Sequence, residues 1–303
     1  MSIKAILSSA PMQEVTFENK RFFIKRDDLL NPHFSGNKAR KFSYLLADSS
    51  SAVKTIVSYG SVQANSLYSL AALAQLKGWQ FNYYIHHIPQ WLKDNPIGNY
   101  AGALALGANI IEVAELSGNL ESYVQNIALS FDQETLLVPE GGRCQQAKIG
   151  VEQLAQEIRS YCQTNKITKP LIMLPSGTGT TALFLQAALP YQVFTCACVG
   201  GDDYLRRQFT ELEPNSTLWP TILLTKKKYH FGKLYPEFYQ QWRQLNQQTG
   251  IEFDLLYDPL GWLSLLDHLK KQSSHPEVIY IHQGGLLGNK SMLPRYQRKF
   301  SDS

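Results

Sequence analysis

Short apolar runs, rich in β-branched and aromatic residues, alternate along the chain with longer segments of helical period. Strand-like runs fall at 55–59, 81–85, 109–113, 136–138, 171–174, 193–199, 221–225, 253–257 and 278–282. Most are apolar without alternation, the pattern of strands covered on both faces. Between them, Val151, Leu154, Ala155, Ile158 and Cys162 form a single helical stripe. Leu67, Leu70, Leu73 and Ala74 form another, stopped by Gly78. This β-α-β-α rhythm predicts parallel sheets with helices on both faces. No repeat, low-complexity tract or Pro/Gly/Ser linker divides the chain, so a second domain is expected to be inserted rather than appended.

Length and composition narrow this. The 303 residues suit two domains, or one large α/β unit. With 44% hydrophobic and 18% charged residues, the chain can bury a core and is not disordered. A net charge of +4 is too small to imply nucleic acid, and Lys226–Lys228 and the tail around Arg295, Arg298 and Lys299 read as solvated surface. The cysteines (144, 162, 196 and 198) form no C-x-x-C motif and no disulfide scaffold. No stretch approaches the roughly 18 apolar residues of a membrane span, and Ala5-Ile6-Leu7 is too short for a signal-peptide core. A soluble cytoplasmic protein is expected.

In parallel α/β folds, ligands meet the carboxyl ends of strands. Residues 171–183 read LIMLPSGTGTTAL, an apolar strand turning through glycines and threonines into a helix. Such a turn presents backbone N–H groups, hydroxyls and a helix N-terminus to an anion, and so predicts a phosphate cup. It is not a Walker A loop, since no lysine follows the glycines. Gly177, Gly179 and Ala182 also fit G-x-G-x-x-A, and Asp202 and Asp203 follow about where a dinucleotide's ribose partner would stand. A nicotinamide oxidoreductase is therefore an alternative, although it leaves the first 170 residues unexplained.

Residues 24–46 place Lys38 at the start of a helix after Ser35-Gly36-Asn37. A lysine there is at odds with the helix dipole, which lowers its pKa, and a neutral amine is what forms a Schiff base. Asn65, in Q-A-N-S, is placed to cap the next helix or to bond a ligand at its mouth.

K-R-D-D-L, S-G-N-K-x-R-K, Q-A-N-S and S-G-T-G-T-T occur here in that order. The chain thereby resembles, over nearly its whole length, the 1-aminocyclopropane-1-carboxylate deaminase/D-cysteine desulfhydrase family of pyridoxal-phosphate enzymes. Gly98-Asn99, P-E-G-G at 139–142 and H-Q-G-G at 282–285 support the likeness. The resemblance implies the tryptophan synthase β-subunit-like fold, fold type II, with two three-layer α/β domains. Residues 1–45 and 165–303 would form the large cofactor domain, and 46–164 the small inserted one. It implies pyridoxal 5'-phosphate as cofactor, Lys38 as Schiff-base lysine and base at Cα, and Asn65 on the cofactor's phenolic oxygen. Gly177, Thr178, Gly179 and Thr180 would hold the phosphate, and the helix start at Asn65, Ser66 and Leu67 a substrate carboxylate. It also implies a homodimer.

Departures concentrate on chemistry. Ala64 stands at the family's catalytic serine, Phe231 at one tyrosine and Gly261, on this alignment, at a second. Trp262 then falls where the family has a carboxylate for the pyridine nitrogen, and Gln283 where it has a hydroxyl. The expected activity is α,β-elimination or deamination of a small, D-cysteine-like amino acid. Another amino-acid lyase or racemase and a retired amino-acid- or cofactor-binding protein are the alternatives.

Overall fold

The computed structural model describes residues 7, 10–47, 52–113, 119–273 and 275–300. Among these residues, ten strands form two sheets. The larger has the order β1-β2-β10-β7-β8-β9 and the smaller β5-β4-β3-β6. In the larger sheet, β1 (Met12–Phe17) and β2 (Lys20–Arg26) form an antiparallel hairpin. Strands β10 (Val278–His282), β7 (Leu171–Ser176), β8 (Val193–Ala197) and β9 (Thr221–Ile222) continue it in parallel. The smaller sheet, of β3 (Thr55–Tyr59), β4 (Gln80–Ile85), β5 (Asn109–Glu112) and β6 (Thr135–Leu137), is wholly parallel. The expected α/β architecture is present. Among the described residues, no helix is long and apolar enough to cross a membrane.

Two elements depart from the sequence reading. The β1–β2 hairpin escaped it because β1 is an edge strand, where only Val15 and Phe17 are buried amid polar residues. Glu18 and Asn19 make its turn with φ of 50° and 58°. The apolar run 253–257 is not a strand: Leu255, Leu256 and Tyr257 form a turn that leads into the next helix. Side chains satisfy its backbone instead: Trp242 Nε1 donates to Phe253 O (2.7 Å), and Leu255 N donates to Asn289 Oδ1 (2.8 Å).

The helices are α1 (Gly36–Ala47), α2 (Asn65–Lys77), α3 (Gln90–Asp94), α4 (Gly98–Ala105), α5 (Leu120–Ala128) and α6 (Lys148–Thr164). After them come α7 (Thr180–Ala188), α8 (Asp202–Leu212), α9 (Pro236–Thr249), α10 (Asp258–Leu269) and α11 (Asn289–Phe300). The stripe Val151, Leu154, Ala155, Ile158 and Cys162 of α6 packs with Ile172 and Leu174 of the large sheet and Phe184 of α7. We therefore propose that the inserted domain ends before α6, near residue 147, rather than at 164.

A buried ion network fixes α1. Lys25, Asp27 and Arg40 are each about 1% exposed. Asp27 accepts from Lys25 (3.0 Å) and, through both oxygens, from Arg40 (3.0 and 2.8 Å). Glu157 of α6 completes it, 2.7 Å from both cations. Burial alone would raise the Asp27 pKa, but the charges of Arg40 and Lys25 hold it below its ordinary value.

Helices α1 and α6 meet at Gly150, where an added Cβ would lie 1.9 Å from the Arg40 carbonyl oxygen. In an open helix, Gly→Ala gains up to about 1 kcal/mol. Here the overlap is with backbone, and relieving it means moving α1. Gly150→Ala should therefore destabilise by about 1–3 kcal/mol, read from a denaturant midpoint. A midpoint at or above wild type would show that the two helices are not in contact there.

Candidate active site

The carboxyl ends of β7, β10 and β3 open on a cavity of ≈ 500 Å³. Lys38 reaches it from the first turn of α1. That turn abuts the end of β10: Asn37 N donates to Gln283 O (3.0 Å), and a Cβ on Gly36 would lie 1.8 Å from the same oxygen. Gly36, at φ +64°, is the residue that allows this approach. Lys38 Nζ donates to Asn37 Oδ1 at 3.3 Å. Burial pushes its pKa down to about 8, against the charges of Glu140 and Asp254. Lys41, one turn on and buried, donates to the Gly141 carbonyl. Burial and the Lys38 charge hold its pKa well below ordinary. A second cavity of ≈ 530 Å³ shares Asn37, Lys38, Asn65 and Gln283 with the first.

The glycine-rich turn lines the main cavity at the start of α7. The Thr178 and Thr180 hydroxyls are 3.1 Å apart, while Thr181 Oγ1 is buried without a partner. Ser176 is turned away, with its Oγ 2.6 Å from Thr195 Oγ1. Gly177 leaves room beside Tyr257, whose ring would be 3.5 Å from a Cβ there. Gly179 has φ +74°, and a Cβ on it would lie 2.4 Å from Phe209 and 2.5 Å from Leu205. Packing therefore demands this glycine whether or not an anion binds. A Gly179→Val change would test the fold rather than the cup.

Asn65 is the first residue of α2, and Ala64 occupies the cap position with no side-chain bond, so the capping role expected of Asn65 is not found. Its Oδ1 instead accepts from Asn99 Nδ2 (2.7 Å), which leaves its own N–H₂ to the cavity. Ser66 lines the cavity too. Leu67 does not: its side chain is in the small-sheet core, and its N–H donates to Ala64 O (3.1 Å). Gln283 Nε2 donates to Pro175 O (2.6 Å) and its Oε1 accepts from Asn37 (3.1 Å), which leaves one N–H free on the cavity wall.

The alignment through Gly261 needs correction. Gly261 lies on the buried face of α10, where a Cβ would sit 2.6 Å from Tyr280 Oη. Trp262 is wholly buried against Phe17, Phe22 and Tyr280, so neither residue reaches the site. Tyr257 and Asp258 do line the cavity. Reading F-D-L-L-Y at 253–257 against the family's L-D-P-V-Y puts Tyr257 at the tyrosine and Asp258 at the carboxylate. A hydroxyl is present after all. Phe231 lines the cavity, as expected, without one.

Two cavity residues were missed by sequence reasoning, Asp254 and Glu140. Asp254 is 2% exposed. Its Oδ1 accepts from the N–H groups of Leu256 (2.8 Å) and Tyr257 (2.6 Å), and its Oδ2 has no partner. Burial and then the Asp258 charge push its pKa up to about 8. A lone acid inside an apolar run was the available signal. Glu140 lay within the quoted P-E-G-G motif without an assigned role. Asp202 and Asp203 do not line the cavity, so the dinucleotide reading loses its ribose partner.

These residues suit pyridoxal phosphate. A helix N-terminus with threonines and an unpartnered hydroxyl suits its phosphate, a depressed amine its aldehyde, and a free amide N–H₂ its phenolic oxygen. Two sheets with a cavity bordered by a lysine helix and a glycine-rich turn make the tryptophan synthase β-subunit-like, fold type II architecture. The comparisons place it there. An ACC deaminase homologue of known crystal structure superposes with TM-score 0.79 at 22% identity, covering 98% of this chain and 97% of that one. A threonine deaminase of T.th. superposes with TM-score 0.69 at 16% identity, covering 93% and 94%. In sequence, the D-cysteine desulfhydrase of Serratia proteamaculans (strain 568) is 25% identical, covering 92% of each chain. No family model matches the chain. The resemblance read from the motifs is thus borne out, and that family is one of pyridoxal-phosphate enzymes.

Proposed function

We propose that the protein is a pyridoxal 5'-phosphate-dependent lyase acting by α,β-elimination or deamination on a small amino acid such as D-cysteine. The observation that carries this is a lysine amine with its pKa pushed down to about 8, in one cavity with a glycine–threonine turn at a helix N-terminus. The cofactor, when bound, supplies an electron sink that acidifies the Cα–H bond of an attached amino acid. Lys38 would hold the cofactor and, once displaced by substrate, accept the Cα proton. Gly177, Thr178, Gly179 and Thr180 would bind the phosphate, and the Asn65 amide the phenolic oxygen. Asn65 and Ser66, at the N-terminus of α2, would receive the substrate carboxylate. The free N–H of Gln283 would serve the ring nitrogen as a neutral donor, and buried Asp258 lines the same cavity. The homodimer implied by the family is carried as part of this reading, and light scattering checks it.

The test is 2-oxo acid release from D- and L-amino acids by protein loaded with pyridoxal phosphate. Release is expected from small amino acids bearing a β leaving group. 1-Aminocyclopropane-1-carboxylate should react far more slowly, since Ala64 and Phe231 offer no hydroxyl. Stable cofactor binding without turnover of any amino acid would favour a binding protein. The cup has its own test. Removing both hydroxyls (Thr178→Ala with Thr180→Ala) should weaken cofactor affinity by at least about tenfold, since a hydrogen bond to a charged group is worth roughly 1.5–3 kcal/mol. Unchanged affinity would place the phosphate elsewhere.

A further inference from the structure

Eliminating a β substituent requires two proton transfers: one from Cα, and one to the departing group. Lys38 serves the first. Several groups lining the cavity are poor candidates for the second. Ala64 and Phe231 carry no acidic proton. The Tyr257 hydroxyl is pushed up by burial, which makes it a weaker acid than a free phenol. Asp254 is 2% exposed, so a proton it gave up could not readily be replaced from solvent.

Glu140 differs on each count. It follows β6 through Pro139, on the small-sheet wall of the cavity, and its side chain is exposed. Among the described residues, no hydrogen bond or ion pair engages its carboxylate, although its neighbours are polar. Gly60 makes room for it: a Cβ there would lie 2.6 Å from both Glu140 Oε1 and Tyr83 Oη. That puts the carboxyl beside Gly60 and the Tyr83 hydroxyl, which also bonds Ser66, one of the two residues read to receive the substrate carboxylate. The ionisable groups acting on it are Lys38 of α1, Glu121 of α5, Tyr59 of β3, Tyr83 of β4, Tyr204 of α8 and Tyr257. Gln63, which also lines the cavity, has a buried amide with no partner, its Oε1 lying toward Gly98 and Ser291.

We propose that Glu140 is the general acid that protonates the leaving group. This rests on the lyase reading above. The Cα–H bond breaks with its proton passing to Lys38 Nζ and its electron pair forming the Cα=Cβ bond as X leaves. The Cβ–X bond breaks with its electron pair leaving on X, and the Glu140 carboxyl proton passes to X, releasing HX. The carboxylate regains a proton from solvent, to which the residue is open. Partial burial of the carboxyl in the cavity wall, followed by the Glu121 charge, raises the Glu140 pKa, which keeps a proton available to higher pH. Acid assistance matters most when X is a poor leaving group, such as hydroxide or an amine, and not at all for chloride.

The experiment compares wild-type holoenzyme with Glu140→Gln on serine, cysteine and β-chloroalanine, each in both enantiomers. In the variant, kcat/KM for serine should fall on the order of 10²-fold or more, and that for cysteine less. For β-chloroalanine it should stay within about threefold, because no proton transfer is lost. Exchange of the Cα proton with deuterium from solvent, followed by NMR, should persist in the variant. Glu140→Asp should restore part of the serine activity. Equal losses for serine and β-chloroalanine, or loss of Cα exchange, would overturn the acid role while leaving the lyase reading intact. Wild-type holoenzyme that releases 2-oxo acid from none of these substrates would overturn both.

Discussion

Lys38→Ala should abolish covalent capture of pyridoxal phosphate and lower amino-acid turnover by roughly 10³-fold or more, because one amine both holds the cofactor and takes the Cα proton. The fold should survive, since the bond that the Lys38 amine gives up to Asn37 Oδ1 is long, at 3.3 Å. Lys41 is the obvious substitute, one turn along α1, but it is badly placed to serve. Its amine already donates to the Gly141 carbonyl. Its pKa is depressed by burial and then by the Lys38 charge. Removing Lys38 lifts the second of these causes, so Lys41 becomes more protonated and less nucleophilic in the variant. Full activity in Lys38→Ala would mean that another amine carries the chemistry.

The second large effect is on stability. Asp27→Ala would leave Lys25 and Arg40, both about 1% exposed, with Glu157 as the remaining carboxylate of the network. Breaking a buried network by removing one partner costs about 3–5 kcal/mol. Because the folded Asp27 pKa is held below its ordinary 3.8, its contribution is present above that value and lost as pH falls through the folded value. The stability gap between wild type and variant should therefore be full at pH 7 and close in strong acid. Urea melts at both pH values check it, and a gap under about 1 kcal/mol at pH 7 would contradict the network's role. The network spans β2, α1 and α6, so its loss should also loosen the helix that carries Lys38.

The sequence made some of this plain and hid the rest, for physical reasons. Strands buried on both faces read as apolar runs, which is why β3, β7 and β10 were visible. The β1–β2 hairpin lies at an edge, half polar, and left no such run. Residues 253–257 looked like a strand because a largely buried loop and turn has the same apolar composition, whether a ladder or side chains satisfy its backbone. The same segment misled the site reading. Without knowing that α10 starts at Asp258, Tyr257 could be set one helical turn out of place, and Gly261 and Trp262 were assigned positions that the fold buries in the core. Lys38 and the glycine-rich turn were legible because each breaks a local rule: a lysine at a helix start, and more hydroxyls and glycines than a turn requires. Asp254 and Glu140 were not singled out, because a single acid acquires meaning only from what surrounds it in space.

The central claim is that Lys38 carries pyridoxal phosphate. Borohydride reduction of wild-type protein incubated with pyridoxal phosphate, followed by peptide mass mapping, tests it most directly. One cofactor mass fixed on the peptide containing Lys38, and absent from Lys38→Ala, is the predicted result. Fixation on Lys41 or on surface lysines alone, or none at any lysine, would contradict it.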